Sequence, residues 1–143
     1  MRQTSLVLLF KCEAGGHTDH RRQISDIVLP PNLRIPFTVR QIKIVAMKEE
    51  AVRNGLAAGN HYHTVKSNRH ELFIAAGPAD KVLFRARVRV NELLQDFELR
   101  NGDGCLILPT VSHAFIPDAD GAVLYGLSNL PYDETHDVPD KLF

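Results

Sequence analysis

The sequence predicts an all-β protein in which a closed or double-layered sheet surrounds a histidine-lined site. Short segments rich in β-branched and aromatic residues recur along the 143 residues, punctuated by glycine, proline, asparagine and aspartate. His61 and His63 lie two apart, so an extended strand points both to one side. His70 returns after a polar turn at Lys66-Ser67-Asn68, and His113 must arrive from a distant strand, which requires a closed or stacked sheet.

The elements follow in order. Residues 5–10 (SLVLLF) read as a first strand: the run is too short for a signal peptide, and Phe10-Lys11 is not a cleavage site. Gly15-Gly16 opens a polar loop carrying His17, Asp19, His20, Arg21 and Arg22. Strands are expected at 23–29, closed by Pro30-Pro31-Asn32, and at 38–46. Residues 48–56 suit a short helix or a loop. Further strands are expected at 59–64, 71–76, 82–90, 93–99, 105–108, 114–116 and 122–128. The breaks between them include Gly77-Pro78, Asn101-Gly102-Asp103-Gly104 and Asp118-Ala119-Asp120-Gly121. From Pro131 the tail is too polar for a core strand and is expected to pack across the surface.

Length and charge narrow the function. At 143 residues the chain is read as one domain, 1–143, with a single substantial core. Seventeen basic and seventeen acidic side chains cancel, which argues for a small-molecule partner and against nucleic acid or an anionic membrane. No run approaches the roughly 20 apolar residues that span a bilayer. Cys12 and Cys105 form no Cys-x-x-Cys pair and read as reduced thiols of a cytoplasmic protein. No phosphate-binding glycine loop, dinucleotide fingerprint or Gly-x-Ser-x-Gly elbow is present, so no nucleotide cofactor is expected.

The histidines carry the chemistry. Neutral imidazole ligates Zn, Ni or Fe and also serves as an acid or base near neutral pH. The candidate metal ligands are His61, His63, His70 and His113. His70 competes with Glu71, since neighbours on a strand face opposite sides. Counting back from Gly77 groups His70 with Leu72, Ile74 and Ala76, and favours His70, although Phe73 and Ala75 make the opposite face apolar too. Arg85, Arg87 and Arg89 alternate with Phe84, Ala86, Val88 and Val90, describing either a solvated outer face or a basic strip for a diphosphate. His17 and His20 are read as loop residues, and His136 as solvent-facing.

Two segments resemble the cupin pattern. Gly55 precedes His61-Tyr62-His63 by five intervening residues, and Gly102-Asp103 through Pro109 to His113 keeps the second segment's spacing. Thr110 stands where a turn glycine is usual, and the gap after His63 is longer than the pattern allows. Further stretches resemble the nucleotide-sugar 3,4-ketoisomerase group of cupins. They are Asp19-His20-Arg21-Arg22-Gln23-Ile24-Ser25, Ile35-Pro36-Phe37-Thr38-Val39-Arg40, and Ala122-Val123-Leu124-Tyr125-Gly126-Leu127-Ser128 with Pro131-Tyr132-Asp133-Glu134. The resemblance implies a homodimeric jelly-roll barrel, the double-stranded β-helix, with exchanged N-terminal strands. It implies a keto-sugar nucleotide as substrate, with His61 and His63 moving its protons. Ala58, Gln41 and Lys43 depart from the arginine, arginine and tyrosine of that group.

The leading expectation is therefore isomerisation or epimerisation of a keto-sugar nucleotide or related carbonyl compound. His63 is the expected general base and His61 its partner, with Lys43, Arg85 and Arg87 as candidate substrate-binding cations. A metal on the histidines would supply Lewis acidity, and the base would then be Glu71, Lys43 or Tyr62. The alternatives are a metal-dependent cupin oxygenase and a non-catalytic sugar-binding or sensory module.

Overall fold

The alternating pattern resolves into twelve antiparallel strands within residues 7–143, the part of the chain that the computed structural model describes. Ser5 and Leu6, which open the first predicted strand, lie outside the described residues. One sheet runs in the order β1 (Val7–Lys11), β9 (Asp103–Ile107), β6 (Glu71–Ala76), β11 (Val123–Ser128) and β4 (Gln41–Ala46). The second runs β12 (Asp137–Pro139), β5 (Ala58–His63), β10 (Ser112–Pro117), β7 (Val82–Val90) and β8 (Leu93–Arg100). β2 (Glu13–Thr18) and β3 (Gln23–Val28) form a separate hairpin, and α1 (Glu49–Asn54) joins β4 to β5. Acidic residues open α1, Arg53 closes it, and Gly55 caps it at φ 60°.

The facing sheets bury one core between them. Phe73 and Ala75 of β6, Leu124 of β11 and Cys105 and Ile107 of β9 meet Phe84, Ala86 and Val88 of β7 and Phe115 of β10. Full burial of each large side chain contributes about 2 kcal/mol. The outer face of the first sheet is covered as well. There Leu72, Ile74 and Leu106 pack with Cys12, Phe10, Ile27, Leu33, Ile35 and Phe37. β6 is consequently buried on both faces, so its apolar pattern carries no sign of which side is the barrel interior.

Two segments that read as irregular are strands. β2 runs through Gly15, Gly16 and His17, because a continuous ladder to β3 holds the glycines extended. β12 lies in the polar tail and pairs with the edge of β5, where main-chain hydrogen bonds substitute for apolar side chains. Both cysteines are buried free thiols. Among the described residues, no helix is long and apolar enough to cross a membrane.

Candidate functional site

β5 turns His61 and His63 to one side, and β10 sets His113 opposite His61. The ladder shifts by a bulge between His113 and Ala114, beside Gly59 at φ 95°. Gly59 passes so close to β10 that a Cβ there would stand 2.6 Å from the His113 carbonyl oxygen. The three rings gather as a result, with centroids 4.9 Å apart for His61–His63, 4.8 Å for His61–His113 and 5.6 Å for His63–His113.

The fourth member is Glu71, reaching across from β6 of the other sheet. Its Oε1 lies 2.5 Å from His63 Nε2 and 3.3 Å from His113 Nε2. One donor atom from each of His61, His63, Glu71 and His113 falls within 4.8 Å of the others. This corrects the preference for His70. Phe73 and Ala75 mark the interior face of β6, and Glu71 shares their parity. His70 sits on the other side, its ring centroid 6.0 Å from that of Phe37 and its Nδ1 3.1 Å from the Asn68 carbonyl oxygen. The N-terminal segment covers that face and makes it apolar, which is why counting from Gly77 points the wrong way.

Hydrogen bonding fixes the rings. His113 Nδ1 is 3.0 Å from the carbonyl oxygen of Val111, which can only accept, so Nδ1 carries a proton and Nε2 is the nitrogen turned towards Glu71. Asp137, delivered by β12, places Oδ1 2.7 Å from His63 Nδ1 and Oδ2 3.8 Å from His61 Nδ1. The shorter contact is off the N–H direction and leaves both atoms without a hydrogen-bond partner. Burial pushes His61 down to about 4, helped by the charge of His113 and opposed by that of Asp137. Burial would raise the Glu71 carboxyl, but hydrogen bonds from His113 and His63 outweigh it and hold the group well below its ordinary range. Burial and the Glu71 charge push the Cys105 thiol up, so it is no nucleophile.

The predicted cations divide. Lys43 lies on β4 with the parity of Val45, which packs against the interior core, and its Nζ stands 5.4 Å from the centre of the Tyr132 ring. Arg85 and Arg87 project from the outer face, since Phe84, Ala86 and Val88 of the same strand fill the core. Arg87 forks onto Asp96 at 2.7 and 2.9 Å and reaches the Leu142 carbonyl, while Arg85 approaches Asp118. Arg89 meets Asp140. The arginine strip is a clamp on the outer face, not a lining of the histidine site. Tyr62, between the two inward histidines, takes the opposite parity. A cleft of about 600 Å³, lined by Ile27, Ile42, Ile74 and Tyr125 among others, lies on the outer side of the first sheet, away from the cluster.

Asp137 and Arg69 join the site with little warning from the sequence. Asp137 sits in a polar tail without periodicity. The one signal for Arg69 is its parity with Glu71. Arg69 is 2% exposed, and its guanidinium donates to Gln41 Oε1 at 2.7 Å and to the carbonyls of Leu130 and Pro131 at 2.8 and 3.2 Å.

No family model matches the chain, and no curated protein matches it. Solved structures do. QdtA, a sugar 3,4-ketoisomerase from Thermoanaerobacterium thermosaccharolyticum in complex with TDP, superposes with a TM-score of 0.66 at 20% identity, over 95% of this chain and 89% of that one. The chain has the cupin fold. The chain also matches WlaRB, a TDP-quinovose 3,4-ketoisomerase from Campylobacter jejuni, with a TM-score of 0.67 at 17% identity over 94% and 92% of the two chains. ChmJ, a 3'-monoepimerase from Streptomyces bikiniensis in complex with dTDP-quinovose, matches with a TM-score of 0.66 at 14% identity over 93% and 68%.

Proposed function

We propose that this cupin is a metal-dependent isomerase or epimerase of a keto-sugar nucleotide. The observation that carries the reading is the buried junction of three imidazoles with one ionised carboxylate. With Nδ1 of His113 donating to Val111, its Nε2 stands 3.3 Å from Glu71 Oε1, an arrangement that is attractive only with a proton or a cation between the two. A set of three nitrogens and one carboxylate oxygen suits Zn, Ni or Fe in the divalent state. His61, His63, Glu71 and His113 would hold the ion.

When bound, such an ion supplies Lewis-acid polarisation of a substrate carbonyl. The protein contributes the rest. The Val111 carbonyl on His113 Nδ1 orients that ring, as outer-shell partners of ligating histidines do, and the Asp137 carboxylate stands beside His63 Nδ1. With His61 and His63 engaged as ligands, neither serves as the general base through the ligating nitrogen. Of the remaining candidates, Tyr62 faces away and Glu71 is engaged, which leaves Lys43 to take up or return a proton at Nζ and to meet an anionic substrate. The substrate class rests on the neighbours, one of them a mutant of the 3,4-ketoisomerase QdtA in complex with TDP-4-keto-6-deoxyglucose.

We extend the proposal to a homodimer. Leu8, Leu9, Ile42 and Ile44 expose between 44 and 66% of their surfaces along β1 and β4, the two edges of the first sheet. A mass of one chain at micromolar concentration would overturn it.

The test of the reaction uses tag-free protein. Near one equivalent of Zn, Ni or Fe per chain is expected, together with keto-group migration or epimerisation of TDP-4-keto-6-deoxyglucose and solvent deuterium entry followed by NMR. Protein that neither carries nor takes up metal overturns the metal assignment. Sugar-nucleotide binding without turnover overturns the isomerase and leaves a binding module. Metal-dependent oxygen consumption would assign an oxygenase, the second reading that the same donor set favours.

A further inference from the structure

Arg69 is among the largest fully buried side chains, and a buried guanidinium is costly unless it is paired and hydrogen-bonded. Its two terminal nitrogens are committed to neutral acceptors: Gln41, and the carbonyls of Leu130 and Pro131. Its Nε has no hydrogen-bond partner and lies 3.6 Å from Glu71 Oε2. Glu71 divides accordingly, with Oε1 turned to His63 and His113 and Oε2 to the guanidinium. Leu130 and Pro131 begin the C-terminal strap. The strap then hydrogen-bonds to Thr64 through the His136 carbonyl, sets Asp137 against His63, and anchors Asp140 and Leu142 on Asn60. Both ends of one segment thus meet the same site, one through Arg69 and Glu71, the other through Asp137.

We propose that Arg69 is a positioning residue that couples Glu71 to the C-terminal strap, so that docking of the strap and assembly of the four-residue site rise and fall together. A planar fork suits this role, because it fixes two carbonyls and presents Nε to the carboxylate in one rigid geometry. Thermodynamic reciprocity then requires that occupying the site tighten the strap, and that freeing the strap weaken the site. The metal arm of this inference rests on the metal reading above. The coupling itself does not.

The experiment measures amide hydrogen exchange across residues 134–143 in metal-free protein, for wild type, Arg69→Met, Glu71→Gln and the double variant, with circular dichroism confirming the fold. Each single variant should speed strap exchange by about tenfold or more, as expected when one partner of a buried ion pair is removed. The double variant should be no faster than the faster single one, because both break one connection. Arg69→Lys, which keeps the charge and loses the fork, covers the case in which Arg69→Met does not fold and should speed exchange likewise. Additive effects, or strap exchange unmoved by Glu71→Gln, would overturn the coupling. In a second arm, Zn²⁺ should slow strap exchange in wild type, and Arg69→Lys should bind Zn²⁺ about 10- to 100-fold more weakly. Wild-type protein that binds no Zn²⁺ overturns the metal reading alone, and the exchange cycle still decides the coupling. Unchanged Zn²⁺ affinity in Arg69→Lys counts against Arg69 as a positioning residue.

Discussion

His63 Nε2 and Glu71 Oε1 stand 2.5 Å apart across the space between the two sheets, each side chain 4% exposed. The contact joins β5 of one sheet to β6 of the other and makes the histidine pair part of a four-residue site. Glu71→Gln keeps the shape and removes the charge. It should therefore lower Zn²⁺ or Ni²⁺ affinity by about 100-fold or more, while His70→Ala leaves affinity within about twofold. Isothermal titration of both variants checks this, and the opposite ranking would restore His70 as the ligand.

Gly59 fixes the approach of β5 to β10. An added Cβ would meet the His113 carbonyl oxygen at 2.6 Å on a backbone already at φ 95°. Gly59→Ala should cost about 2–3 kcal/mol in urea unfolding and misplace His61. A loss under about 0.5 kcal/mol would show that the bulge tolerates a side chain.

Thr110 adopts φ 74°, a conformation that a β-branched residue rarely takes, while its N–H donates to the His63 carbonyl at 2.8 Å. Thr110→Gly keeps that hydrogen bond and relieves the strain. It should raise stability by about 1 kcal/mol, shown as a higher urea midpoint at unchanged slope. A lower midpoint would mean that the threonine side chain contributes more than its backbone strain costs.

Metal-free protein should lose stability as pH falls. His61 titrates near 4 in the folded state against an ordinary 6.5, so between those values the unfolded chain binds the extra proton and stability drops. Glu71 acts in the same direction. Its depressed folded value gives stability that is present above its ordinary 4.5 and lost as pH falls through the folded value. Urea midpoints measured between pH 7 and pH 4 should fall steadily. A flat or rising series would contradict the burial of a neutral His61.

Much of this architecture is legible along the chain. β6 and β7 occupy residues 71–76 and 82–90, where alternation and flanking turns put them. β12 and β2 are not, because a ladder to a neighbouring strand holds them in place of apolar periodicity. Arg85 and Arg87 are equally ambiguous. A strand with one basic face looks the same whether that face meets a phosphate or Asp96 and Asp118.

The sequence by itself determined that His61 and His63 share a side, because side-chain direction in a strand alternates with period two whatever surrounds it. It also determined that a strand after Gly102-Asp103 would carry His113. Only the tertiary structure decided between His70 and Glu71. Leu72 and Phe73 are equally apolar, and what separates their faces is the N-terminal segment packed on one and the second sheet on the other. The same holds for Asp137 and Arg69. Their roles come from contacts to residues dozens of positions away, at Asp137–His63 and Arg69–Leu130, and no local pattern encodes which distant neighbour closes on which.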